Sequence, residues 1–415
     1  MKKKAVTLLL TGMMILSVLS GCGNSQQTAA ESGQQENPVQ TVSANVTPEV
    51  ESAADTKTEE TENTVPKYIF FFIGDGMSYP QIQLTNYYLN AAAGNESVTV
   101  DGEEKTVLKS GNSLNMMNLE VTGSAQTYDS TSFAPDSAST ATSIATGHKT
   151  WSGSINVSED FSQEYETIAE KLKAQKGYKI GILSSVNLNH ATPAAFSDTL
   201  ALDDAVAKAV EFYEKHPDET LILVTGDHET GGLTIGYAGT DYDTFLTNFD
   251  NQKISYAKFD SDYVAAYKEN RTDFETVMKD VTELFGLTAP ADENAEKTEQ
   301  KDSADLHPES EDTGALEMTA YEYGLLKAAY DETMSRTGEE SEFSQEEYIL
   351  YGSYEPLTVT ITHILNNKSG INFGSYAHTG LPVEVLVSGV GAEKFEGYYD
   401  NTQIYEKLAE LTGVE

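Results

Sequence analysis

The chain has 415 residues, 66 of them acidic and 26 basic, with a formal net charge of −40 and one cysteine. Negative charge in such excess repels a polyphosphate backbone and argues against nucleic-acid binding, and a lone cysteine excludes a disulfide scaffold. With 39% hydrophobic residues, including 23 Tyr and 15 Phe, there is ample material for a large core, which argues against disorder throughout.

The first 22 residues read as an address. Lys2, Lys3 and Lys4 precede an apolar run over 5–19 that is short for a bilayer span and closes on Leu19-Ser20-Gly21-Cys22. This is a secretory signal with a lipobox. Its resemblance to bacterial lipoproteins implies that Cys22 is lipidated and becomes the mature N-terminus. Acyl chains contribute ~0.8 kcal/mol per buried CH₂, so two or more hold a protein on a membrane with no spanning helix. The expectation is an extracytoplasmic protein anchored to the cell membrane through an N-terminal lipid, with plain secretion as the alternative. Residues 23–66 carry Gln, Glu, Ser, Thr, Asn and Ala with almost no large apolar side chain, and read as a flexible tether.

Residues 67–415 alternate strand and helix signals. The run 67–73 (KYIFFFI) ends at Gly74-Asp75-Gly76, the pattern of a strand buried on both faces with a carboxylate just past its end. Pro135-Asp136-Ser137-Ala138-Ser139-Thr140-Ala141-Thr142 opens a stretch of small residues that predicts a helix from about Ser137 to Gly147. A serine at a helix N-terminus faces unpaired N–H groups and about half a positive charge, which favours phosphate and a developing alkoxide. A helix is predicted over 165–173, then a strand over 179–184 (KIGILS) leading to His190-Ala191-Thr192-Pro193. Over 202–214, Leu202, Val206, Ala209, Val210 and Tyr213 share one helical face, with Asp203 and Asp204 in the first turn. The strand 221–225 (LILVT) stops at Gly226-Asp227-His228-Glu229-Thr230-Gly231-Gly232. Residues 238–354, rich in Tyr and acid, read as an insertion containing a low-complexity run over 288–314. His378-Thr379-Gly380, a strand over 381–388 and a closing helix over 401–411 complete the chain. This alternation predicts an α/β fold with a largely parallel central sheet and helices on both faces, its site lying beyond the carboxyl ends of the strands. Asp75, His190, Thr192, Asp227 and His228 converge there.

A serine hydroxyl is a weak nucleophile at pH 7 and needs a base or a metal. The sequence has no Gly-x-Ser-x-Gly elbow, and its carboxylates and histidines group as ligands, so metal activation is the better reading. Taken singly, each residue has a plainer role. The Ser137 string could be a Ser/Thr/Ala-rich cap, Asp75 a turn former, and His190 and His378 structural loop histidines. His148, His216, His307 and His363 read as surface or packing residues, and Tyr376 as core or rim.

In order, Gly74-Asp75-Gly76-Met77, the Asp136-Ser137-Ala138 stretch ending in Thr146-Gly147-His148-Lys149-Thr150, His190-Ala191-Thr192-Pro193-Ala194-Ala195, Thr225-Gly226-Asp227-His228-Glu229-Thr230-Gly231-Gly232 and His378-Thr379-Gly380 resemble the signature stretches of alkaline phosphatases. The resemblance spans most of the chain from Lys67 onward. It implies an alkaline phosphatase-like fold and a hydrolase of phosphomonoesters that uses Zn²⁺ and Mg²⁺, with Ser137 forming a phosphoserine intermediate. By residue, it implies that Asp75 bridges a zinc and a magnesium and that Asp227 and His228 complete that zinc site. Thr192 would bind magnesium with His190 beside it, and His378 would belong to the other zinc. Homodimers are usual in the family. Zinc accepts carboxylate and imidazole donors, magnesium prefers hard oxygens, and paired metals stabilise both the attacking and the leaving oxygen.

The sequence departs from the family at one place. In the family, a long segment separates the His-x-Thr-Pro-Ala stretch from the Leu-Asp-x-Ala-Val helix. That segment carries a phosphate-clamping arginine, the magnesium glutamate, and an aspartate and histidine of the first zinc. Here Phe196-Ser197-Asp198-Thr199-Leu200-Ala201 runs directly into Leu202-Asp203-Asp204-Ala205-Val206, and the only arginines are Arg271 and Arg336. The expectation is a first zinc site left with His378 alone and a magnesium site left with Asp75 and Thr192. The second zinc site keeps Asp75, Asp227 and His228. Turnover should be greatly reduced, and the sheet should have lost strands, leaving a gap or an unpaired edge. The alternative is a non-catalytic lipoprotein that binds metal or phosphate on the same scaffold; a third reading is a gene or sequence that lost the segment by error. A sulfatase is disfavoured by the lack of a Cys/Ser-x-Pro-x-Arg string, and a phosphodiesterase by Ser137, where a threonine nucleophile is typical.

Overall fold

In chain order the strands are β1 (Tyr68–Gly74), the hairpin β2 (Glu96–Val100) and β3 (Glu103–Val107), β4 (Val121–Gln126), β5 (Thr220–Gly226), the short β6 (Glu229–Thr230) and β7 (Leu233–Ile235), β8 (Ile371–Phe373), β9 (His378–Thr379), β10 (Val383–Gly389) and β11 (Gly397–Asp400). The helices are α1 (Tyr79–Ala92), α2 (Ser137–Thr146), α3 (Ile168–Lys176), α4 (Ala195–Tyr213), α5 (Tyr256–Phe259), α6 (Ala265–Asn270), α7 (Phe274–Phe285), α8 (Ala320–Ser335), α9 (Gln345–Tyr351), α10 (Pro356–Lys368) and α11 (Thr402–Thr412). These come from a computed structural model that describes residues 65–100, 102–183, 195–240, 243–291, 316–337 and 343–415, with backbone alone at 195–198. The signal and tether up to residue 64, Cys22, His190, Thr192 and most of the run over 288–314 lie outside the described residues.

The central sheet has five strands in the order β1-β5-β10-β4-β11. Every residue of β5 is buried, because the strand is packed on both faces. Its Leu221 and Leu223 join Ile144, Ile168, Leu172, Ile404 and Leu408 from α2, α3 and α11. Ile222 and Val224 point the other way, toward Ile82, Val206 and Ala209 from α1 and α4. Helices therefore cover both faces, as the alternation predicts.

The structure corrects three sequence expectations. The sheet is mixed rather than largely parallel: β1 runs parallel to β5, and β11 to β4, but β10 is antiparallel to both β5 and β4. A buried apolar run has the same composition read in either direction, so the sequence carries no sign of this reversal. Residues 179–183 of the predicted KIGILS strand form no strand, and Ile182 is 81% exposed. A strand needs a partner for its N–H and C=O groups, and among the described residues this run has none in the sheet. Finally, β1 is half-buried rather than fully buried, since it lies at the margin of the sheet.

The described residues of 238–354 fold as a helical layer that shares a second core with α10. On α7, Val277, Met278, Val281 and Phe285 fall on one face, between an Asp273 N-cap and a Gly286 C-cap. They pack with Phe259, Leu326, Leu357 and Ile361, so α5, α8 and α10 close over the same cluster. Helix α4 begins at Ala195, and the passage from Phe196 to Ala201 is thus helical.

Candidate active site

The site begins with a strand register. Tyr68 pairs with Thr220 and each following residue pairs in step, up to Gly74 with Gly226, so Asp75 and Asp227 leave the sheet side by side. Gly226 makes this possible, because a Cβ there would stand 1.7 Å from the Met77 carbonyl oxygen. The two strand ends are then tied: Gly76 N donates to Asp227 Oδ1 at 2.8 Å, and His228 N donates to the same oxygen at 3.0 Å.

Helix α2 supplies the hydroxyl. Asp136 is its N-cap, accepting from Ser139 N at 3.0 Å, and Gly147 closes it in the left-handed region at φ 75°. Ser137 is the first helical residue. Its Oγ lies 2.8 Å from His228 Nε2 and 3.4 and 3.5 Å from the two oxygens of Asp75. His228 Nδ1 donates to Glu229 O at 3.1 Å, which leaves the Nε2 lone pair facing Ser137 and both carboxylates.

His378 arrives through the β6–β9 ladder, opposite Thr230. Its ring stacks on that of His228 with centroids 3.6 Å apart and planes at 21°. Its Nδ1 is held by Pro135 O at 2.7 Å. The structure thus brings together Ser137, Asp75, Asp227, His228 and His378.

Two supporting residues were not singled out from sequence. Buried Glu229 accepts from Gln81 Nε2 at 2.8 Å, Gly232 N at 3.0 Å, Leu233 N at 3.1 Å and Thr379 Oγ1, and so binds α1 to the β6–β9 ladder. Asp136 also accepts from Gly153 N at 2.6 Å, fixing the loop beyond α2. The signal for Glu229 was its place in the Gly226-to-Gly232 string, where a buried carboxylate must find donors.

The electrostatics suit a cation. Burial, and the charge of Asp227 beside it, push the Asp75 carboxyl up to about 6; burial alone drives Asp227 up to about 6. Burial, and then the charge of His378, lower His228 to about 4, so its imidazole is neutral and able to act as a ligand. One donor atom from each of Asp75, Asp227 and His228 lies within 4.8 Å of the others. Two carboxylates and an anchored imidazole are a donor set that zinc accepts, with a position left for a further ligand. The residues present fit a divalent metal.

Residues 66–199 and 195–414 match the family model for alkaline phosphatase. The chain belongs to the alkaline phosphatase family. Among curated relatives, Alkaline phosphatase 4 of Bacillus subtilis (strain 168) is 25% identical over 211 residues, covering 51% of this chain and 33% of that protein. The alkaline phosphatase of Schizosaccharomyces pombe is 28% identical over 135 residues, covering 32% of this chain and 22% of that one. The chain thus spans about a fifth to a third of the length of these curated relatives. The crystal structure of a cold-active alkaline phosphatase from the psychrophile Shewanella sp. superposes with a TM-score of 0.55 at 19% identity, over 83% of this chain and 99% of that one. The Thermus thermophilus alkaline phosphatase does so with 0.52 at 13% identity, over 88% and 96%. These likenesses establish an alkaline phosphatase-like fold.

Proposed function

We propose that this chain hydrolyses phosphomonoesters through a phosphoserine at Ser137, with a divalent cation held by Asp75, Asp227 and His228. The observation that carries the reading is the Ser137 hydroxyl, at a helix N-terminus and 2.8 Å from His228 Nε2, beside the Asp75 and Asp227 carboxylates, whose donor atoms lie within 4.8 Å of each other and of the imidazole. The α2 N-terminus favours the phosphate dianion. Asp75 orients the Ser137 hydroxyl for attack on phosphorus, while His228 Nε2, which faces that hydroxyl in this structure, would serve the cation when one is bound. The bond from phosphorus to the alcohol oxygen breaks as the bond to Oγ forms, the hydroxyl proton ends on the departing alcohol, and water then releases phosphate and restores the serine. When bound, zinc would ease ionisation of that hydroxyl and neutralise charge on the phosphoryl oxygens. The wider zinc and magnesium set, with His190, Thr192 and His378, is proposed on the resemblance alone.

We propose further that turnover is much reduced, because the family segment between Phe196 and Leu202 is missing. Two observations support this. The family match breaks into two stretches that meet at residues 195–199. In addition, neither arginine is among the residues grouped around Ser137: Arg336 Nε bonds Glu332 at 3.0 Å with Phe343 against its guanidinium, and Arg271 lies at the C-terminus of α6. Each missing preorganised donor costs ~10²–10³ in rate. The test is zinc content per chain alongside hydrolysis of p-nitrophenyl phosphate by the purified protein. About one zinc with weak but Ser137-dependent turnover is expected. Robust turnover with two zinc per chain would overturn the impairment, and no zinc with no phosphoserine would overturn the enzyme reading.

Anchoring through lipidated Cys22 and assembly as a homodimer are proposed on the same footing. Among the described residues no helix is long and apolar enough to cross a membrane. Detergent-phase partition of the native chain, lost in Cys22→Ser, is the expected result for the anchor; sedimentation reads the dimer.

A further inference from the structure

Next to the Ser137 site, a cavity of about 240 Å³ opens between the insertion and the β6–β9 ladder. One wall, Thr230 and Gly231, lies at the end of β6, two and three residues past His228. Gly231 N donates to Ala377 O at 2.9 Å and Ser375 N to Gly231 O at 3.0 Å, so the cavity borders the Thr230–His378 pair and extends away from it along these residues.

Its other walls come from the insertion and α10. Tyr256 and Tyr354 meet edge to face at 6.3 Å and 86°, Tyr376 follows Tyr354 at 5.9 Å, and His363 stacks on Tyr376 at 5.8 Å. Two carboxylates share this aromatic lining. Asp260 heads a π-helical turn, Asp260–Val264, an irregularity often found at functional positions, and accepts from Thr358 Oγ1. Glu355 pairs through Oε2 with Lys268 Nζ at 3.0 Å, while its Oε1 is buried with no hydrogen-bond partner among the described residues. Burial favours a neutral His363, and burial, then the charge of Glu355, push the Asp260 carboxyl up, so a cation in the cavity would meet no opposing imidazolium and would favour the ionised form of Asp260.

We propose that this cavity is the alcohol-side subsite and that it takes an organic cation of the quaternary-ammonium class. Aromatic faces attract a cation through their quadrupole, and such a group needs no hydrogen-bond acceptors of its own. Although Lys268 pairs with Oε2, the buried Glu355 Oε1 lacks a partner among the described residues, and a cation beside it would offset the desolvation of that oxygen. The favoured substrate is then a phosphomonoester with an ammonium a few bonds from its phosphate. This assignment rests on the phosphatase reading for the phosphate end only.

The test uses the full-length protein loaded with zinc and separates the two readings. Choline, which carries no phosphate, is titrated calorimetrically against its neutral isostere 3,3-dimethylbutan-1-ol. The expected result is choline binding at least about tenfold tighter than the isostere, the weight of a desolvated cation–π contact. Glu355→Gln and Tyr354→Ala should each weaken choline binding while leaving zinc content unchanged. Equal binding of the two alcohols, or choline binding indifferent to both variants, overturns the proposal. In turnover, kcat/KM for phosphocholine should exceed that for 3,3-dimethylbutyl phosphate. Equal values sink the subsite and leave the phosphatase standing, whereas choline binding by a protein that turns over neither ester sinks the phosphatase and leaves the subsite.

Discussion

Asp227 does two jobs with two oxygens. Oδ1 takes N–H groups from Gly76 and His228 and so fixes the geometry, while Oδ2 lies 3.3 Å from His228 Nε2 on the side open to a cation. Ser137→Ala deletes the one hydroxyl aimed at that point. It should cost at least ~10³ in hydrolysis and abolish the phosphoserine seen by intact mass, with zinc still bound. The carboxylates also set a pH signature. Asp75 and Asp227 titrate at about 6 in the folded, metal-free protein against an ordinary 3.8. Their contribution to stability is therefore full below the ordinary value and is lost as pH rises through about 6. His228 runs the other way, contributing above 6.5 and losing that as pH falls through about 4, but it is one group against two. Zinc held by the proposed ligands would displace the carboxyl protons, so its thermal stabilisation of the protein should be larger at about pH 7.5 than at about pH 5. A shift of equal size at both pH values, in scanning fluorimetry, would mean that zinc binds elsewhere.

At the level of elements, the site depends on how closely β5 approaches the turn after β1. Gly226→Ala would put a methyl 1.7 Å from the Met77 carbonyl, and the turn carrying Asp75 must then move. A loss of ~2 kcal/mol or more in urea unfolding is expected, together with weaker zinc binding. Much of this local architecture was legible in the sequence. The run LILVT marked β5, and Asp136 with Gly147 bracketed α2, because caps and buried runs are written in a few adjacent residues. What escaped depends on partners distant along the chain. The direction of β10 is set by how the chain returns to the sheet, which composition does not encode. Residues 179–183 have the look of a strand but, among the described residues, no neighbour in the sheet, and pairing rather than propensity decides. Asp203, read as a first-turn helix charge, instead lies within α4 and accepts from Asn115 N at 2.9 Å and Met116 N at 2.8 Å. The insertion's core was present as the spacing of Val277, Val281 and Phe285, but its acidic and tyrosine-rich surroundings hid it. For the site itself, Asp75, Ser137, Asp227 and His228 were named from motifs, whereas the cavity beside them draws on residues from 230 to 376 that no local pattern links.

Over the whole molecule, a net charge of −40 opposes compaction. Exposed charges are screened over ~8 Å at physiological ionic strength, so added sodium chloride should raise the melting temperature of the metal-free protein. The rise should be smaller once zinc has neutralised the Asp75 and Asp227 pair; a melting temperature insensitive to salt would count against self-repulsion as a significant cost. The position of β1 has a separate result for the site. Asp227 and His228 hang from a strand flanked on both sides, but Asp75 follows one that, among the described residues, is laced to a neighbour along a single flank. The Asp227 side is thus an anvil and the Asp75 side a jaw, and adjustment to ions of different radius falls to the jaw. Backbone deuterium uptake in Tyr68–Gly74 should outpace that in Thr220–Gly226 and slow when the jaw closes on a metal.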